Sequence, residues 1–172
     1  MSTTPSPAAY PAHPEFLTYQ LHASREFFER STSVFEDEHS DFAPHEGLMT
    51  LTQQVAHAAD TFDWFRNALI DMEGFDMDFK AMEARIAAAG TLSEARRWFE
   101  RAHGDMVTFL ESSTPESLAE QLPEDDPIMP GAPRAALVAG ILDHTAHHRG
   151  VLTGYARALG LVPPMPYGEV PE

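Results

Sequence analysis

LMTLTQQVAHAADTFDWFRNAL, residues 48–69, carries the pattern on which the fold turns. Leu48, Leu51, Val55, Ala58, Phe62, Phe65 and Leu69 recur at alternating steps of three and four residues. Such steps keep one face of an α-helix apolar, and a face this regular is a seam for packing against other helices. The same rhythm returns on either side. Upstream, Leu17, Leu21, Phe28 and Phe35, with Ser24 and Ser31 in register, predict a first helix over 15–36, and Pro44 closes the connection that follows. Downstream, Asp76 to Gly90 reads as a short extra helix. Thr91 or Ser93 then caps a helix in which Leu92, Ala95, Phe99, Ala102, Met106 and Phe109 align. The last helix runs from Arg134 to Leu159, with Val138, Ile141, Thr145, His148, Leu152 and Tyr155 on one face and Gly160 at its end. Residues 112–133 hold five prolines and read as a long surface loop before that helix. No stretch sustains a period of two. The expected class is all-α: a four-helix bundle with a short extra helix and a long loop before the last one.

Composition narrows the function. The chain has 172 residues, enough for one domain expected over 15–172 after a flexible, proline-rich tail at 1–14. Its net charge is −16 and its only lysine is Lys80, which argues against nucleic acid or an anionic membrane surface as partner. The absence of cysteine removes thiolate zinc sites, iron–sulfur clusters and cysteine nucleophiles together. The first residues have neither a basic nor an apolar segment of a secretory signal, and the longest apolar run, Ala135 to Leu142, is too short to span a bilayer. A cytoplasmic protein is expected.

The chemistry concentrates in histidine. His144 and His148 stand one turn apart on the last helix, a spacing that suits two imidazoles on one ion. His148 falls on the apolar seam, where a ring nitrogen without a partner is costly. His57 flanks the seam of the second helix and is its only histidine. Two facing helices can thus offer three neutral imidazoles and leave coordination positions open, the arrangement of catalytic rather than structural metals. A chain with nine histidines also produces such pairs by chance, as solvated or satisfied helical residues. Glu36-x-x-His39 and Glu100-x-x-His103 match an element of di-iron bundles, but the second and last helices lack the inward glutamates that such a site needs. The residue after His144 is Thr145, so the H-E-x-x-H pattern fails. Asp60 and Gln53 lie one turn either side of His57 and are candidates to orient it. His147, about 100° around the helix from its neighbours, reads as a rim or surface residue. Arg149 is a candidate for a structural ion pair or an anionic substrate.

Two segments carry a family resemblance. DHTAHHRGVLTGYARALGLVPP (143–164), with its H-x-x-x-H-R-G core, resembles the C-terminal signature of the DinB/YfiT-like family. FAPHEGLMTLTQQVAHAADTFDWF (42–65) is similar to the family's second-helix motif, a proline-led start followed about a dozen residues later by a histidine. The likeness covers about residues 15–168. It implies a four-helix bundle whose single divalent metal ion, zinc or nickel foremost with iron or manganese open, is held by His57, His144 and His148. It also implies a homodimer, and points to transferases that activate a low-molecular-weight thiol for transfer to a small-molecule substrate.

The physical logic agrees with that activity. A neutral three-imidazole site leaves the ion's charge uncompensated and favours a bound anion. A chain without cysteine needs its sulfur nucleophile from a cosubstrate. A metal-dependent hydrolase, in which the same site ionises water, uses the same residues. A stress-responsive metal-binding or interaction protein without turnover is the non-enzymatic alternative. The 112–133 loop, preceding the ligand-bearing helix, is expected to act as a lid over the cleft.

Overall fold

A computed structural model of the chain describes residues 13–71 and 74–168. The described residues form helices α1 (Pro14–Thr32), α2 (Leu51–Asp71), α3 (Phe79–Ala87), α4 (Leu92–Glu111), α5 (Pro115–Leu118) and α6 (Arg134–Ala158), with no strand among them. None of these helices is long and apolar enough to cross a membrane. The expected all-α four-helix bundle is present, built from α1, α2, α4 and α6. Of the expected tail at 1–14, residues 1–12 lie outside the described residues. His13 and Pro14 form the start of α1, where proline's fixed φ suits the first turn.

Local chemistry sets the helix ends. Thr50 and Gln53 cap α2 reciprocally: the Thr50 N–H donates to Gln53 Oε1 at 2.9 Å and the Gln53 N–H to Thr50 Oγ1 at 3.2 Å. The helix therefore begins at Leu51, and Leu48, first in the periodic series, is left 52% exposed. Thr91 and Glu94 cap α4 in the same reciprocal way. Ser93, the other candidate cap, instead donates its N–H and hydroxyl to Asp37. The first helix stops at Thr32, short of the expected Glu36. The chain then tightens into a 3₁₀ turn at Asp37–His39, capped by Glu36 and His39 on each other. Phe35 stays fully buried by way of this turn, so its apolar register survives without helix.

Helix order explains the long connections. α1 borders α4 and α6, and α2 borders the same two, so α1 and α2 face each other across a diagonal, as do α4 and α6. Asp63 with Trp98 and Val55 with Arg96 place α2 parallel to α4. Gln54 with Tyr155 and Leu69 with Arg134 place α2 antiparallel to α6. The segments 33–50 and 112–133 must each cross the bundle end to reach a diagonal partner. α3 fills the return between the parallel pair, tied by the Arg85 guanidinium on Asp60 at 2.7 and 3.2 Å. At the centre Phe28 stacks on Phe99, and Phe62 meets Phe99 edge-on.

The 112–133 segment is ordered and does not act as a lid on the histidines. It contains α5, a bridge between Gln121 and Pro133, and a keystone at Asp126, whose carboxylate accepts the N–H groups of Phe75, Ile128 and Met129. Arg134 fastens its end to Leu69 O and Glu120. His144 lies ten residues further along α6 than Arg134, about 15 Å at the helical rise. The loop caps the opposite end of the groove.

Candidate metal centre

α2 and α6 approach closely enough to bring three imidazoles together. Gly140 permits this one turn from His144: a Cβ there would sit 2.6 Å from the Phe65 ring. His57, in the second turn of α2, and His144 and His148, in the middle of α6, each offer a nitrogen within 4.8 Å of the others. Ring centroids stand 5.0 Å (His57–His144), 4.9 Å (His57–His148) and 4.4 Å (His144–His148) apart. His148 is buried, and the other two are half-buried.

The three rings are built to be neutral. Burial, then the neighbouring His144 and His57, pushes His148 down to about 3. Burial and then His57 push His144 down to about 4, and burial lowers His57. Each therefore keeps a lone pair at neutral pH. His148 Nδ1 meets Gln54 Oε1 at 2.6 Å, and Gln54 Nε2 reaches the Tyr155 hydroxyl at 3.5 Å. Tyr155 donates to Met49 O at 2.9 Å. The Thr61 hydroxyl donates to His57 O at 3.0 Å and lies 3.5 Å from His144 Nε2.

A divalent ion fits this donor set. His148 Nε2 and His144 Nε2 lie 3.3 Å apart, and two nitrogens on one tetrahedral ion are separated by about 3.3 Å when each bond is about 2.05 Å. His57 Nδ1 is buried and has no hydrogen-bond partner within the protein. Orphaned buried nitrogens are costly unless a ligand takes them up. Imidazole suits borderline first-row metals such as zinc and nickel.

The residues around the cluster differ from the sequence expectations. Gln54, not Gln53, orients a site histidine, since Gln53 is spent on the α2 cap. Asp60 is 1% exposed but turns to Arg85. A helical position changes face by about 100° per residue, so Gln54 was legible only once the α2–α6 pairing was known. His147 is exposed at the rim, its ring 5.1 Å from His148. Arg149 lies 5.7 Å over both Phe27 and Tyr167, clamping the chain after α6 onto α1. The Glu-x-x-His elements do not converge: His39 serves the 3₁₀ cap, Glu100 pairs with Arg25, and His103 is buried against Phe62.

A bundle of this order, with histidines of α2 and α6 facing one another, is matched by a family model over residues 1–171, and the chain belongs to the DinB family. A solved structure similar to it is YfiT from Bacillus subtilis, described as a probable metal-dependent hydrolase with an unusual four-helix bundle topology. The two are 19% identical, with a TM-score of 0.66 over 93% of this chain and 95% of that one. Comparison with curated proteins finds no match.

Proposed function

We propose that this DinB-family protein is a metal-dependent enzyme that activates a low-molecular-weight thiol for transfer to a small molecule. In this reading His57, His144 and His148 hold one divalent ion. The observation that carries it is the composition of the cluster: three imidazoles converge, and among the described residues no carboxylate joins them. A divalent ion bound there supplies uncompensated positive charge, which lowers the pKa of an acidic ligand and favours its anion at neutral pH. The protein's own residues bind and orient. His148 is aimed by Gln54, and the Thr61 hydroxyl stands beside His144 Nε2 at the edge of the cluster. Asp60, the nearest buried carboxylate on α2, is committed to Arg85 and is not free to act as a general base for the cluster. A thiol needs none, because its proton leaves to solvent once its pKa is lowered. The chain has no cysteine, so the sulfur comes from a cosubstrate.

The test is titration of the cobalt-loaded protein with small thiols such as 2-mercaptoethanol. The expected result is the near-ultraviolet absorption that a thiolate gives when it binds cobalt, absent from His57→Ala, His144→Ala and His148→Ala. Metal-dependent, thiol-dependent consumption of an electrophile such as monobromobimane completes the case. The second reading, a hydrolase, is favoured by the likeness to YfiT. Thiol-independent cleavage of activated esters by the loaded protein, with no thiol-dependent absorption, would establish it instead.

A further inference from the structure

The geometry points to a relay of hydrogen bonds, running from Met49 through Tyr155 and Gln54, that fixes the tautomer of His148. We infer that Gln54 and Tyr155 are positioning residues that keep the His148 Nε2 lone pair turned into the three-histidine cluster. The purpose of the relay rests on the metal reading above, but its geometry does not.

The bookkeeping starts at the Met49 carbonyl, which can only accept. Tyr155 spends its single hydroxyl hydrogen there, at 2.9 Å. The Tyr155 oxygen can then serve its other neighbour only as an acceptor. Gln54 reaches it at 3.5 Å, a long contact, with the amide nitrogen facing it. A flipped amide would set Oε1 against an oxygen with no hydrogen left to give, so the network selects this orientation. Gln54 Oε1 is therefore the atom 2.6 Å from His148 Nδ1. An amide oxygen accepts and never donates, so His148 Nδ1 carries the ring proton and Nε2 keeps its lone pair. Nε2 is the atom 3.3 Å from His144 Nε2, inside the cluster.

Burial makes the relay binding. Gln54 is 7% exposed, and Tyr155 and His148 are 5% exposed each, so bulk water does not replace any partner. The relay also ties a ligand-bearing helix to the 33–50 connection, because Met49 lies in that segment rather than in α2. Its middle member is an amide, so it orients the imidazole without adding charge to the site, which a carboxylate in the same place would do.

Nitrogen–proton correlation spectra of the metal-free protein, with histidine labelled at its ring nitrogens, read the tautomer directly. His148 is expected as the Nδ1–H form. In Gln54→Leu that signal shifts toward the Nε2–H form, and zinc affinity, measured against a chromophoric chelator, falls about 10–100-fold. Tyr155→Phe lets the amide flip and lowers zinc affinity by less. Gln54→Glu still accepts from Nδ1 with one oxygen but sets the other against Tyr155, so it keeps the Nδ1–H signal and a zinc affinity between those of the wild type and Gln54→Leu, which a purely space-filling role would not predict. An Nε2–H His148 in the wild type overturns the relay, as does a Gln54→Leu protein with unchanged tautomer and affinity. Should Gln54→Leu fail to fold, the wild-type and Tyr155→Phe spectra decide the matter. A wild type that binds no zinc would sink the metal reading, and the spectra would still judge the relay on their own.

Discussion

Two grooves of the bundle bury histidine, and only one gathers it. Between α1 and α4, His103 is 1% exposed, packs against Phe62 and leaves Nε2 without a partner. Burial, then the nearby Arg25, pushes it down to about 4, as low as His144. Its one histidine neighbour, His22, stands 5.2 Å away and is exposed. Between α2 and α6, rings with similar depression converge from two helices, and one is aimed by an amide. A lowered pKa thus reports only that a ring is buried. Convergence and an orienting partner distinguish a site from a core histidine.

The largest effect that separates the grooves is on metal. The reloaded wild type should hold one zinc per chain by elemental analysis. His57→Ala, His144→Ala or His148→Ala should each lower affinity at least about 100-fold while remaining folded, whereas His103→Leu should leave it unchanged. Equal loss from His103→Leu would erase the distinction. Next comes Gly140→Ala, whose new methyl meets Phe65 and pushes α6 off α2. It should cost about 1–3 kcal/mol in urea unfolding and weaken zinc binding as well. Smaller, at about 2 kcal/mol, is Arg85→Ala, which leaves the Asp60 carboxylate buried without its partner. Since Asp60 makes no hydrogen bond to the histidines and acts on His57 only through its charge, zinc affinity should change little. A large loss there would return Asp60 to the role of orienting His57.

A further contrast is the dependence of stability on pH. His57, His103, His144 and His148 all titrate below the ordinary value of 6.5 in the folded chain, chiefly because burial disfavours their charged form. Below about pH 6.5 the unfolded chain takes up protons that the folded chain refuses. Metal-free stability is therefore full above that pH and declines as pH falls toward 4 and 3. Urea midpoints at pH 7, 5.5 and 4.5 should show the decline, and His103→Leu should make it shallower by one proton's share. A flat profile would mean that these rings are not buried in solution. Burial also delays proton competition for the ion, so zinc loss from the folded protein should set in well below the 6.5 of a free imidazole.

The four long helices were legible because Phe62, Phe99, Ile141 and their partners repeat at helical spacing whatever surrounds them. The grouping of His57, His144 and His148 was legible from a one-turn pair on one seam and a lone histidine on another, together with the family resemblance. What escaped depended on packing. Gln53 and Gln54 differ by one residue, and only the capping of α2 and the approach of α6 assign one to the helix end and the other to His148. Leu48 continues an apolar series, but the Thr50–Gln53 cap starts the helix after it. The role of the 112–133 segment was misread because nearness in sequence to α6 says nothing about which end of α6 it covers. Periodicity shows which face of a helix is inward, not which helix it faces.

The diagonal placement of α1 and α2 has a consequence for how the chain is made. α1 pairs with α6, so the contacts that close the bundle join residues far apart in sequence, at a greater cost in loop-closure entropy than contacts between successive helices. During synthesis α1 and α2 leave the ribosome with their α6-facing sides open. His57 emerges long before His144 and His148, so the three imidazoles cannot meet until α6 has been made. In the proposed reading, acquisition of the ion follows the docking of α6 rather than nucleating the fold.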